Sequence, residues 1–233
     1  MKLKLHLLTT LYPVRSKARL AELRHCITQN CRNPHIGTMH FFLEGFTDAV
    51  KASGDWDWLF AIGDAKLIYI DHRTNYADYF TYANEHLAGE MVLICNTDIF
   101  YDDSLRLVGK FPFPVFGMGS TIMLAITRYN WNPATQKAEI QGIEVGGNSG
   151  SQDTWIFKSP IRKFDWDITV GVLGCDSFLA QRAQEADIAV WNPAMNIISY
   201  HYHQDPERND QPDGRSYWAH PEYCGVCVPF CNA

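Results

Sequence analysis

Apolar runs and helical stripes alternate along the first hundred residues. KLKLHLLT, residues 2–9, reads as a strand that closes on Thr9, Thr10 and Tyr12 before Pro13 breaks it. Residues 17–32 carry Leu20, Leu23, Ile27 and Cys31 at helical spacing, which predicts a helix. IGTMHFFL (36–43) and KLIYI (66–70) follow as second and third strands. Residues 74–88 put Tyr76, Phe80, Ala83 and Leu87 on one face of a helix that Thr74 can cap and Gly89 ends. The next run, MVLIC, is unbroken. This order predicts an α/β fold with a mostly parallel sheet covered by helices, because strands buried on both faces read as continuous apolar runs.

Beyond residue 105 the pattern is mixed. Residues 113–127 suggest strands separated by Gly117 and Gly119, and QGIEVGGNSG (141–150) is a glycine-rich loop lacking both the dinucleotide fingerprint and the Walker pattern. A flexible loop beside a substrate is the expectation there. Residues 174–187 predict a helix starting near Asp176, and 188–203 hold a final strand alternating into His201 and His203. No repeat and no linker divides the chain. Residues 1–203 are therefore expected to form one domain, with 1–105 and 106–203 as its halves and 204–233 as a cysteine-rich tail.

Composition narrows the picture without changing it. With 46% hydrophobic and 20% charged residues, 233 residues can bury one substantial core. A net charge of −6 argues against nucleic acid or another polyanion as partner, while leaving room for a local basic site for a small phosphate. The N-terminus is apolar with two lysines. His6, Thr9 and Thr10 interrupt it and no small-residue cleavage site follows, so a core strand fits better than a signal peptide. No run approaches the roughly 18 apolar residues that span a bilayer, and a soluble, cytoplasmic protein is expected. Cys26, Cys31, Cys95 and Cys175 read as reduced, mostly buried thiols. His220, Cys224, Cys227 and Cys231 cluster in the tail, where a metal site, a disulfide or redox pair and incidental cysteines all remain open.

The candidate chemistry starts at VLICNTDIFYDDSL, where a buried-strand pattern ends in an amide, a hydroxyl and carboxylates. Ligands of open α/β sheets bind beyond the carboxyl ends of their strands, so Asn96, Thr97 and Asp98 occupy a site position. Each of the three also favours turns. Seven tryptophans and eleven tyrosines suit a carbohydrate or nucleotide ligand, although core packing accounts for most of them.

Taken in order, NTD at a strand end, QDTWIF, GCDSFLA and YHYH resemble the nucleotide-sugar-dependent glycosyltransferases of GT-A fold, over nearly the whole chain as far as His203. The resemblance implies a single Rossmann-like domain. It also implies a sugar transfer from a UDP- or GDP-linked donor to a carbohydrate or other hydroxyl acceptor, aided by Mn2+ or Mg2+. The family's acidic DxD-type motif would be Asn96-Thr97-Asp98, with an amide in place of the first acid. Asp98 would bind the metal, and His201 or His203 would complete its shell. Asp176 matches the helix-start acid that serves as base in inverting members, and Asp153 is the rival. Gln152 and Trp155 would hold the acceptor, with Trp155 stacked on its apolar face. Thr9, Thr10, Tyr12, Glu44, Arg73, Tyr76, Asn96 and Thr97 would hold the nucleotide. Arg128 or Arg208 would share the diphosphate charge. The other classes weighed are a sugar-nucleotide pyrophosphorylase, whose glycine-rich first loop LLTTLYPVRSKARL lacks, and a non-catalytic carbohydrate-binding module.

Overall fold

The structure is a computed structural model that describes residues 3–113, 121–141, 148–149, 151–206, 216–222, 228–229 and 231–232. In chain order its elements are β1 (Leu5–Leu11), α1 (Lys17–Arg32), β2 (Ile36–Glu44), α2 (Asp48–Ala52), α3 (Asp57–Phe60), β3 (Lys66–Ile70), α4 (Tyr76–His86), β4 (Met91–Cys95) and β5 (Ile99–Tyr101). After a 3-10 turn (Asp103–Lys110) come β6 (Ile122–Asn132), β7 (Lys137–Ile140), β8 (Asn148–Ser149), β9 (Gln152–Lys158), α5 (Cys175–Glu185), β10 (Ala189–Trp191), β11 (Ser199–His201) and β12 (Val228–Pro229).

The main sheet runs β3-β2-β1-β4-β9-β6-β11-β5, with β7 and β10 also paired to β6. Its first four strands are parallel, and β9 then enters antiparallel between β4 and β6. Alternation sorts the side chains. Leu7, Phe41, Leu93 and Ile156 pack on one face with Leu23 and Ile27 of α1. Leu8, Phe42, Ile94 and Trp155 pack on the other with Tyr79 and Phe80 of α4 and Phe178 and Leu179 of α5. The apolar run of β4 follows from this, since all five of its residues are buried beneath both layers.

The predicted helix at 17–32 and strand at 66–70 match α1 and β3. Two local expectations need correction. Asn75, not Thr74, caps α4, accepting from Asp78 N at 3.0 Å while Asp78 accepts from Asn75 N at 2.8 Å, a closed capping box. Thr74 is drawn inward, where its hydroxyl meets Thr10 at 2.9 Å. The final strand divides into β10 and β11, because Asn192 and Pro193 end the first piece and His203 lies past the second. The scattered cysteines are free and mostly buried as expected: Cys26, Cys95 and Cys175 lie inside and Cys31 is exposed. The strands β5, β7 and β9 carry no strong pattern and emerge from pairing alone. Gly117, Gly119, residues 142–147, Arg208, Cys224 and Cys227 lie outside the described residues. Among the described residues no helix is long and apolar enough to cross a membrane.

Candidate active site

The polar tip of β4 is where chain ends that are distant in sequence converge. β11 pairs antiparallel with β5, setting His201 opposite Ile99, the residue after Asp98, and Tyr202 N donates to the Asp98 carbonyl at 2.8 Å. Oδ2 of Asp98 then lies 3.4 Å from His201 Nε2 and 3.1 Å from His203 Nδ1. Asn130 Oδ1 orients the other nitrogen of His201 at 3.3 Å. One ligand atom from each of Asp98, His201 and His203 falls within 4.8 Å of the others, so both histidines reach the site.

Residues outside the recognised motifs fix this cluster. Arg19, on the first turn of α1, donates to Asp98 Oδ2 at 2.6 Å and to Glu22 Oε2 at 2.9 Å. Glu22 Oε1 accepts from the backbone N–H groups of Gln204 and Asp205 at 2.8 and 2.9 Å, and Ser16 donates to Asp205 at 2.6 Å. One buried Arg–Glu pair therefore ties α1 to β4 and to the segment carrying His203. The i, i+3 spacing of Arg19 and Glu22 is the one local signal of the pair, and nothing local marks it as facing inward. Burial pushes the Asp98 carboxyl up, yet the charge of His201, hydrogen bonds from both imidazoles and the Arg19 guanidinium outweigh it, holding the group well below the usual carboxylate range. Its second oxygen, Oδ1, is buried with no hydrogen-bond partner. A buried anionic oxygen without a partner, beside two imidazoles, is a donor set that suits a divalent cation such as Mn2+.

A second acidic centre lies across β9. The register between β6 and β9 slips by one residue, pairing Ile126 with Thr154 but Thr127 with Gln152, so Asp153 is the extra residue of a bulge. Its carboxylate accepts from Asn96 Nδ2 at 2.7 Å and from Arg128 at 2.9 Å. The amide at position 96 thus has a partner that a carboxylate there would repel. Asp176, on the first turn of α5, is half-buried. Burial first, then the charge of Asp153, pushes its carboxyl well above the ordinary range, with Arg128 opposing.

The other predicted contacts are placed as follows. Thr9 and Thr97 share a hydroxyl contact of 3.2 Å, Thr97 donates to the Thr10 carbonyl, and Thr10 meets Tyr79 at 2.6 Å, so these hydroxyls cross-link the strand tips. Tyr12, half-buried, hydrogen-bonds with Arg19. Glu44 accepts from Thr74 N and lies 3.8 Å from Arg73, which donates to the Val170 carbonyl at 3.0 Å. Tyr76 is buried, receives the Trp155 indole N–H at 3.2 Å and hydrogen-bonds with Asp176. Gln152 and Trp155 are fully buried. The indole of Trp155 therefore offers no face to an acceptor: it sits on β9 under α4 and α5, and its stacking partner is the core.

No family profile and no curated protein sequence matches the chain. Solved structures do. A mannosyltransferase, PcManGT from Pyrobaculum calidifontis in complex with GDP-Man and Mn2+, aligns with a TM-score of 0.54 at 13% identity, over 90% of this chain and 59% of its own. GalNAc-T7 with UDP, GalNAc and Mn2+ aligns with a TM-score of 0.56 at 7% identity, over 86% and 44%. The chain thus spans less than two thirds of either relative. The likeness establishes the fold as the GT-A α/β architecture.

Proposed function

We propose that the protein is a metal-dependent glycosyltransferase, moving a sugar from a UDP- or GDP-linked donor to a hydroxyl of a carbohydrate acceptor with inversion. The observation that carries this reading is the convergence of Asp98, His201 and His203 at the carboxyl end of β4, on a GT-A fold, with an orphaned carboxylate oxygen. Asp98 and the two imidazoles would hold Mn2+, which when bound supplies positive charge against the departing nucleoside diphosphate.

The chain's own residues account for the rest. Arg19 and Glu22 hold Asp98 ionised and fix the His203 segment before any ligand arrives, so little reorganisation is needed on binding. Tyr12, Glu44 and Arg73 line the tips of β1 to β3, where nucleotides bind in such sheets. As the acceptor oxygen bonds to the anomeric carbon and the bond to the diphosphate breaks, the hydroxyl proton passes to the carboxylate of Asp176. Its raised pKa makes it a stronger base than an ordinary aspartate. Asp153, already held by Asn96 and Arg128, orients rather than accepts.

The test is incubation of the protein with Mn2+ and a panel of nucleotide sugars. Slow release of nucleoside diphosphate, lost on adding EDTA, supports transfer. With pyrophosphate added, its consumption to give nucleoside triphosphate and sugar 1-phosphate would point to a pyrophosphorylase, and sugar binding without turnover to a non-catalytic module.

A further inference from the structure

With Trp155 enclosed, one other indole lies exposed against the start of α5. All seven tryptophans fall among the described residues, and Trp218 alone is exposed, at 59%. It belongs to the tail, which returns to pack on the start of α5. Tyr217 N donates to the Leu173 carbonyl at 2.8 Å, and Tyr217 Oη accepts from Thr169 N at 2.8 Å. The Tyr217 ring stacks on Phe178 of α5 at 5.0 Å, and Arg182 pairs with Glu222. The indole lies directly on Gly174, the residue that opens α5 two positions before Asp176. A β-carbon at Gly174 would come within 2.4 Å of the ring, and its φ of +83° is a left-handed backbone that glycine adopts freely. Leu173, 54% exposed, is adjacent.

We propose that Trp218, with Leu173 beside it, is the platform on which a pyranose ring of the acceptor stacks, presenting its hydroxyl to Asp176. This rests on the transferase reading and adds to it the acceptor subsite and its ligand class. A flat indole seated against Gly174 has few rotamers to lose on binding, and it matches the apolar C–H face of a pyranoside. The glycine contact is what sets the ring there, so α5 and the tail build the platform jointly.

The experiment titrates wild type, W218A and W218F with methyl β-D-glucoside, β-D-galactoside and α-D-mannoside. It follows tryptophan fluorescence and, with Mn2+ and the nucleotide-sugar panel, acceptor KM against kcat; circular dichroism checks that each variant is folded. The expected result is a saturable fluorescence change in wild type that W218F lacks. Acceptor KM should rise on the order of tenfold in W218A and stay near wild type in W218F, which keeps a ring. An acceptor KM equal in wild type and W218A, or no saturable change in wild type, overturns the platform even where donor hydrolysis upholds the transferase. Saturable binding of the glycosides by a protein that turns over no nucleotide sugar leaves the platform standing and removes the transferase reading.

Discussion

The two acidic centres lie on either side of Asn96 and are built to opposite ends. Around Asp98, two imidazoles and the Arg19 guanidinium, which Glu22 shares, face the carboxylate, and the group stays ionised in spite of its burial. Around Asp176, burial and a second carboxylate, Asp153, outweigh the one guanidinium of Arg128, and the group resists ionising. The same residue type is thus suited to a cation ligand in one setting and, on the proposed reading, to a proton acceptor in the other, because the neighbouring charges differ. Asn96 bridges the two by giving its amide to Asp153 from the turn that carries Asp98.

The sharpest way to break this contrast is Asp176→Asn. Transfer should fall on the order of 1,000-fold, about 4 kcal/mol of barrier, with Mn2+ affinity unchanged by calorimetry. The sign for stability is the reverse. A carboxyl whose folded pKa is raised binds its proton longer in the folded state, so its contribution is present at low pH and lost as pH rises through the elevated value. Asparagine removes that loss, and the variant should unfold at the same or higher denaturant at neutral pH. In wild type, the transfer rate should climb with pH through a pKa above the ordinary carboxylate range. A profile already flat from pH 5 would take the base role from Asp176.

Arg19→Met comes next, and acts on stability. It leaves Asp98 and Glu22 buried without their shared cation, costing about 3 kcal/mol in urea unfolding. A cost below roughly 1 kcal/mol, the range of exposed pairs, would show that the latch organises nothing. Asp98→Asn follows, with Mn2+ affinity lowered about 100-fold, ~2.8 kcal/mol, by calorimetry or paramagnetic resonance. Unchanged affinity would move the cation elsewhere.

The smallest effect lies outside both centres and sharpens how they are compared. His6 Nδ1 and His40 Nε2 meet at 3.0 Å between β1 and β2, and His40 also contacts Tyr82 at 3.1 Å. Burial first, then the charges of His6 and Lys66, push His40 down to about 4. The folded state therefore prefers the neutral ring. Its stability is full above the ordinary histidine value of about 6.5 and is lost as pH falls from there toward 4. Unfolding at pH 5 should come roughly 2 kcal/mol easier than at pH 7 from this site, and H40Q should flatten that slope. Activity profiles for Asp176 need reading against it.

Much of the first half was legible. Helix α1, strands β2 and β3 and the buried run of β4 are local patterns, since burial on one face or on both imposes its own period. Asp98 was readable because a strand's polar end is a place defined by topology. The Arg19–Glu22 latch was not. Both residues are common on solvated helix faces, and only the return of Gln204 and Asp205 makes this face an interior. Trp155 and Trp218 show the same limit in reverse. The ring nearer the acidic motif in sequence is sealed in the core, and the ring in the tail is the exposed one.

By itself the sequence determined the alternation of strands and helices and the carboxylates at their ends, because hydrophobic period and turn chemistry act over a few residues. Tertiary structure alone decided which charges face which carboxylate. Asp98 and His203 are 105 positions apart, and Asp153 and Arg128 are joined across a bulge. The pKa of an acid is set by what surrounds it in space, and no local pattern encodes those neighbours.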